Sequence, residues 1–299
     1  MMRIAGHTMG TPEYTLPEAI RFFSSIGLDG IEIIVQTDGY KCAIDLNEDA
    51  SEIEKVKELL KNYKLDVACL TPYLNLFNSL NEKERKQECE RLQKVILIAE
   101  ALNAPNIRVY GGKFIHGDKD QDGLKAAQLI KSMRECGDFA REHNNVKLCI
   151  ENHFGTMTTT ASKTAEIVNI IDHPNVGILY DQANLAFFPA EEFEEAIQIQ
   201  KHKIFHVHVK DLVYKNDAGQ FICSEVTHIK ESERTVSSRI PGEGILSWPL
   251  ILQSLKKSGY NGWLSLEYER RWQTIDLPPA TEGMPRALHY IRRIIEHLK

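Results

Sequence analysis

The chain of 299 residues has no run of eighteen apolar residues, so no segment reads as a membrane-spanning helix. Nor does it open on a basic stretch followed by an apolar core. Met-Met-Arg-Ile-Ala passes straight into a strand-like pattern, without the marks of a secretion signal. The six cysteines, Cys42, Cys69, Cys89, Cys136, Cys149 and Cys223, include no C-x-x-C pair, which argues against a dithiol redox motif or a paired-cysteine zinc site. Cys69 and Cys149 fall inside apolar runs, where cysteine serves as a small hydrophobe, and reduced thiols of a cytoplasmic protein are expected. Positive charge is in deficit: 36 Lys and Arg against 42 Asp and Glu leave a formal net charge of −6, a field that repels nucleic acid. Internal repeats, low-complexity tracts and linkers are missing too. After the first candidate strand, Gly6-His7-Thr8-Met9-Gly10 does not form G-x-G-x-x-G, which argues against a doubly wound dinucleotide-binding sheet.

What is present is the balance of an ordinary globular protein, 42% hydrophobic and 26% charged, with ample chain for a large core. Short apolar runs alternate with amphipathic stretches throughout. The candidate strands are 3–5, 30–35, 66–71, 106–110, 146–151, 176–181, 204–209 and 263–267, mostly rich in Val, Ile and Leu, as strands covered on both faces should be. Between them lie helical faces such as Leu92, Val95, Ile96, Ala99 and Leu102, or Met284, Leu288, Ile291, Ile295 and Leu298. Thr15 before Leu16-Pro17-Glu18 reads as a helix cap. Eight strands in strict alternation with helices imply a parallel sheet closed into a single (β/α)₈ TIM barrel over 1–299. One interval departs from the pattern: 211–241, long and polar, reads as a loop excursion after strand seven, of the kind that often serves as a lid.

In such a barrel, polar residues at the C-terminal ends of strands face the catalytic mouth. Strand five ends on Glu151, Asn152 and His153, and strand six on Asp181, with Asn184 just beyond. Strand seven offers His206, His208, Lys210 and Asp211, and strand eight offers Glu267 and Glu269. Burying a carboxylate costs several kcal/mol unless something compensates it, and three on neighbouring strands repel one another. A cation is the natural partner. Glu151, Asp181, His208 and Glu267 form an oxygen-rich set with one imidazole, suited to one divalent ion: Mn²⁺ first, with Mg²⁺, Co²⁺ or Zn²⁺ as alternatives. His206 and His208 share a face of their strand, and depth favours His208 as the ligand. His7 ends strand one and is a candidate to line the pocket. Glu32, inside strand two, has two open readings, a hydrogen bond within the mouth or a contact with substrate. His116, His143, His173, His202, His228 and His289 have weaker claims. Arg239, Arg270 and Arg271 lie near the mouth, where they can bind a phosphate, pair with Glu269 or remain solvated.

These strand ends resemble the xylose-isomerase-like barrel superfamily, specifically its sugar phosphate isomerase/epimerase branch. The resemblance runs through Gly-Leu-Asp-Gly-Ile-Glu at strand two, Ile-Glu-Asn-His at five, Leu-Tyr-Asp-Gln-Ala-Asn at six and His-Val-His-Val-Lys-Asp at seven. It continues with Pro241-Gly242-Glu243-Gly244 and Trp248, then Leu-Glu-Tyr-Glu at eight. It implies one divalent metal on Glu151, Asp181, His208 and Glu267, with Glu151 and Glu267 also exchanging a substrate proton as in ketose 3-epimerases. Where the family often has Asp-x-x-His at strand six, this chain has Asn184, which can hydrogen-bond a hydroxyl but cannot titrate.

The implied activity is isomerisation or epimerisation of a small sugar or keto-sugar, phosphorylated or not. A metal would polarise the carbonyl and a carboxylate would remove the neighbouring proton. The expected substrate contacts are His7, Glu32, His153, Asn184 and Arg239. An alternative with similar chemistry is a dehydratase or lyase acting on a keto-inositol or a 3-keto glycoside. Apurinic-site endonucleases share the superfamily, but they use three metals, more histidine ligands and a basic rim. A non-catalytic sugar-binding barrel is disfavoured by the intact ligand set. No membrane or nucleic-acid partner is expected, and a homo-oligomer is compatible with the resemblance.

Overall fold

The computed structural model describes residues 2–115, 118, 121–187, 191–215, 223, 225–227 and 231–298. Eight parallel strands form a ring: β1 (Arg3–His7), β2 (Gly30–Gln36), β3 (Asp66–Pro72), β4 (Asn106–Val109), β5 (Lys147–Glu151), β6 (Val176–Tyr180), β7 (Ile204–Val209) and β8 (Trp263–Leu266). Each pairs with the next in sequence, and β8 and β2 both pair with β1, which closes the barrel. Almost every strand residue is buried, because the ring encloses one face and helices cover the other.

The covering helices are α1 (Leu16–Ile26), α2 (Ala50–Asn62), α3 (Glu82–Leu102), α4 (Asp122–Glu142), α5 (Ala161–Ile171), α6 (Phe193–Gln200), α7 (Trp248–Lys257) and α8 (Ala280–His297). Leu92, Val95, Ile96, Ala99 and Leu102 of α3 lie in the core, as do Met284, Leu288, Ile291 and Ile295 of α8. Thr15 opens α1 as expected, its backbone N–H donating to the Glu18 carboxylate at 2.8 Å. No described helix is long and apolar enough to cross a membrane. All six cysteines are free thiols, five of them buried.

Two features were not anticipated. A short strand, Ala43–Asp45, adds to β2 outside the ring. The polar excursion is not all loop: Asp211–Tyr214 pairs antiparallel with Val236–Arg239 to make a ribbon at its base. Its inward positions, Leu212 and Val236, pack with Ala183 and Ala186 beside β6. Four-residue strands carry too few alternations to stand out in a polar stretch. His228, within the excursion, lies outside the described residues, as does His116.

Asp211 ties this ribbon to the barrel. Its carboxylate accepts backbone N–H groups from Leu212 at 2.9 Å, Gly242 at 2.9 Å, Gly244 at 3.2 Å and Leu246 at 3.1 Å. That grip explains Pro241-Gly242-Glu243-Gly244. Gly242 has φ +95°, and a Cβ on Gly244 would stand 2.1 Å from an Asp211 oxygen. Lys210, one residue earlier, is anchored through its carbonyl, which accepts the Trp248 indole N–H at 3.2 Å.

Candidate active site

Glu151 ends β5, Asp181 follows β6, His208 lies on β7 and Glu267 follows β8, so four adjacent strands deliver these side chains to one point. His208 Nδ1 is 3.4 Å from a Glu151 oxygen, 3.8 Å from Asp181 and 3.3 Å from Glu267. One ligand atom from each of the four lies within 4.8 Å of all the others, and all four residues are buried. Donors sharing an ion at about 2.1 Å stand roughly 3.0–3.4 Å apart, so the spacing is close to that of a coordination shell. His208 Nδ1, Asp181 Oδ2 and Glu267 Oε2 are buried without a hydrogen bond of acceptable geometry among the described residues. Buried polar atoms left in this condition together, with both charge and imidazole on offer, fit a divalent cation.

Below this point lies Glu32, from β2. One of its oxygens accepts from His208 Nε2 at 3.0 Å, the other from His206 Nε2 at 2.9 Å, and the Thr71 hydroxyl donates to the first as well. A carboxylate can only accept, so each histidine carries its proton on Nε2. His208 Nδ1 is thereby the atom aimed at the three other side chains, and it would give up any proton held there in order to ligate an ion. His7, paired in register with Glu32, accepts the Met9 N–H on Nδ1 at 3.0 Å. Its protonated Nε2 then stands 3.5 Å from Glu32. Burial brings the His7 pKa down to about 4, with Glu32 pulling the other way, so its ring is neutral.

Carboxylates outnumber the basic groups here, Glu32, Glu151, Asp181 and Glu267 standing against Arg108, Lys210 and His208. Burial acting alone would raise Glu151, but Arg108 and then His153 bring it down to about 2. Arg108 Nε donates to Glu151 Oε2 at 2.7 Å, and its guanidinium lies 3.5 Å from the Tyr110 ring centre. Asn184 Nδ2 donates to the other Glu151 oxygen at 3.2 Å. Asp181 moves up to about 7, first through burial, relieved by Lys210 and raised again by Glu267 and Glu151. Burial opposes the charge of His208, yet Glu267 and Glu32 hold its pKa well above the usual value. Carboxylate is thus in excess around His208, which is the condition a divalent cation relieves.

Several expected residues fall elsewhere around this point. His153 is buried two residues past Glu151, its Nδ1 donating to the Phe154 carbonyl at 2.8 Å and its ring 4.8 Å from that of Tyr110. Burial brings its pKa down to about 4. Ser238 and Arg239 alternate along the ribbon. The Ser238 hydroxyl donates to Glu269 at 2.9 Å, whereas Arg239 turns the other way and donates to the Ser238 carbonyl at 2.8 Å. Arg270 pairs with Glu13 and Arg271 with Asp38, both at 2.8 Å, so carboxylates of the chain already engage these two candidates for a phosphate. Sequence reasoning missed Arg108. A fully charged residue inside the apolar strand Asn-Ile-Arg-Val was the available signal, of the same kind that drew attention to Glu32.

Comparison with known proteins agrees with this architecture. The chain is 25% identical over 142 residues to inosose dehydratase of Geobacillus thermodenitrificans, a match covering 48% of this chain and 46% of that protein. It thus spans about half the length of such curated relatives. A 3-dehydroshikimate dehydratase of Bacillus anthracis is 22% identical over 252 residues, covering 84% of each chain. Among solved structures, a D-tagatose 3-epimerase-like protein superposes with a TM-score of 0.75 at 20% identity, covering 100% of both chains. The model of the xylose isomerase-like TIM barrel family matches residues 20–294, and the chain belongs to that family.

Proposed function

We propose that the protein is a divalent-metal-dependent isomerase or epimerase of a sugar or keto-sugar, working by proton transfer at a carbon next to a carbonyl. The observation that carries this reading is the pair Glu151 and Glu267, two buried carboxylates that meet His208 from β5 and from the end of β8. Glu151, Asp181, His208 and Glu267 would hold the ion, Mn²⁺ suiting three carboxylates and one imidazole. When bound, such an ion supplies Lewis acidity, drawing charge from a carbonyl and an adjacent hydroxyl and so easing loss of the neighbouring proton. Glu32 orients His208, since both of its oxygens are engaged by ring or hydroxyl donors, His208 and Thr71 on one and His206 on the other. Asn184 holds Glu151 and its own loop, donating to Glu151 and to the Asn152 carbonyl. Glu267 is then the better placed of the two glutamates to take a proton from carbon, because its cationic neighbour Lys210, at 2.8 Å, sits on a flexible stem that can move aside, whereas Arg108 is hydrogen-bonded to Glu151. Glu151 sits across the site to return one. His7 and His153 are left as contacts for substrate oxygens, and Arg239 would join them only by giving up its bond to the Ser238 carbonyl.

A second reading, elimination of water or another β-leaving group, starts with the same proton abstraction. The proton that a glutamate takes from carbon would then pass to the departing oxygen, while His153, whose Nδ1–H is tied to the Phe154 carbonyl, offers Nε2 as an acceptor for that hydroxyl. Similarity to two dehydratases in sequence supports this reading. The deciding experiment incubates Mn²⁺-loaded protein in D₂O with ketoses, their phosphates, a keto-inositol and 3-keto glycosides. An isomer or epimer carrying solvent deuterium supports the first reading, and an unsaturated product supports the second. No turnover of any member, by protein shown to hold metal, sinks both.

A further inference from the structure

Lys210 brings an ammonium group to the oxygens that converge on His208. Its Nζ lies 3.0 Å from Asp181 Oδ2 and 2.8 Å from Glu267 Oε2, the same two oxygens that His208 Nδ1 faces. Both approaches fall outside hydrogen-bond geometry, and the ammonium's hydrogen bond runs instead to Glu269 Oε1 at 3.4 Å. A divalent ion drawing on Asp181 and Glu267 would need those lone pairs. Two cations sharing them a few ångströms apart in a buried site repel strongly. Either the ion is held weakly or the ammonium gives way.

The structure offers Lys210 a second place. Glu269 Oε1 already accepts the hydrogen bond from Nζ, and Glu269 Oε2 is fixed by the Ser238 hydroxyl at 2.9 Å. Glu269 is about a quarter exposed, so an ammonium there regains some hydration. The Lys210 backbone is pinned by Trp248, and the flexible four-carbon stem can shift without moving the strand end. On the metal-dependent reading above, we infer that Lys210 is a resident cation that competes with the divalent ion for Asp181 and Glu267, and that Glu269 receives it when the ion binds. Through Ser238, metal uptake is then linked to the Asp211–Tyr214 and Val236–Arg239 ribbon.

The test is calorimetric titration of Mn²⁺ into chelator-stripped wild type, Lys210→Met, Glu269→Gln and the double variant, with thermal unfolding in chelator alongside. Lys210→Met should bind Mn²⁺ at least tenfold tighter and melt lower in chelator, since its carboxylates lose their resident partner. Glu269→Gln should bind several-fold more weakly, and that loss should vanish in the Lys210→Met background. Lys210→Gln is read in the same way if the methionine variant does not fold. Unchanged or weaker Mn²⁺ binding on removing Lys210 overturns the inference. So does a Glu269→Gln effect that persists undiminished without Lys210, because it would then be simple loss of a negative charge. Wild type that takes up no Mn²⁺ overturns the metal-dependent reading itself, and the inference with it.

Discussion

Arg108 Nε meets Glu151 Oε2 at 2.7 Å, and both side chains are closed off from solvent. The partnership fixes which Glu151 oxygen remains for other work, because Oε1 alone faces His208 Nδ1 at 3.4 Å. A buried charge stripped of its partner is strongly unfavourable, whereas removing both charges together is far milder. Arg108→Met should therefore lower stability by about 3–5 kcal/mol. The double variant Arg108→Met/Glu151→Gln should regain much of that loss. Chemical denaturation of the three variants without added metal gives the check, and equal losses in the single and double variants would count against a direct ion pair.

Glu32 acts on His208 from below, and its charge keeps the proton on Nε2. Carboxylates placed behind a ligating histidine typically tune metal affinity by about 10–100-fold. Glu32→Gln should weaken Mn²⁺ binding by that order while leaving one site per chain. His208→Ala should weaken it much more than His206→Ala, because His206 meets Glu32 rather than the three convergent carboxylates. Elemental analysis and calorimetry measure both. A bound metal indifferent to His208 would remove it from the ligand set.

The barrel was legible in the sequence because its strands are unbroken apolar runs, each ending on polar residues. Leu-Cys-Ile-Glu, Ile-Leu-Tyr-Asp and Leu-Ser-Leu-Glu change character within one position, and Glu151, Asp181 and Glu267 stand at those changes. Boundaries moved by a residue or two; β6 stops at Tyr180, leaving Asp181 to cap the short helix Gln182–Leu185 through the Asn184 N–H at 2.9 Å. What the sequence hid were partnerships across the ring. Glu32 and His208 are 176 positions apart, and no local pattern links them. Arg108 looks like a stray charge until β5 brings Glu151 beside it. Lys210 reads as one more polar residue after β7 until Asp181 and Glu267 close round it.

The excursion carries a prediction about substrate choice. Its ribbon lies against Ala183 and Ala186, and through Ser238 it touches Glu269, so the segment it supports leaves from the mouth of the barrel. Replacing residues 216–230 with a short Gly-Ser link keeps the paired strands and should spare folding apart from the loss of the buried Val226 side chain, since changes in loop length cost little. Turnover of a preferred substrate should fall while Mn²⁺ affinity holds. Unchanged kinetics across a substrate panel would show that the segment has no part in recognition.

Glu151 and Glu267 should differ in the chemistry they carry, although both converge on His208. Arg108 and Asn184 occupy Glu151 from both oxygens and weaken it as a base. Glu267 Oε2 faces His208 at 3.3 Å and Lys210 at 2.8 Å without a fixed hydrogen bond. Burial would raise its carboxyl, yet both neighbours hold it well below the usual range, and it becomes the more available acceptor once the Lys210 stem shifts aside. Glutamine at either position keeps one ligand oxygen and abolishes proton uptake, so turnover should drop by roughly 10²–10⁴-fold, the usual contribution of a positioned acid or base. The two variants should fail differently. Glu267→Gln should lose both turnover and the exchange of the substrate's α-hydrogen with D₂O. Glu151→Gln should keep some exchange while losing net conversion, if Glu267 removes the proton and Glu151 returns it to the other face. Measuring deuterium wash-in beside product formation separates the steps. Exchange abolished equally in both variants would place the first proton transfer on the pair rather than on Glu267. Full activity in both would remove the carboxylates from proton transfer altogether and leave them as ligands.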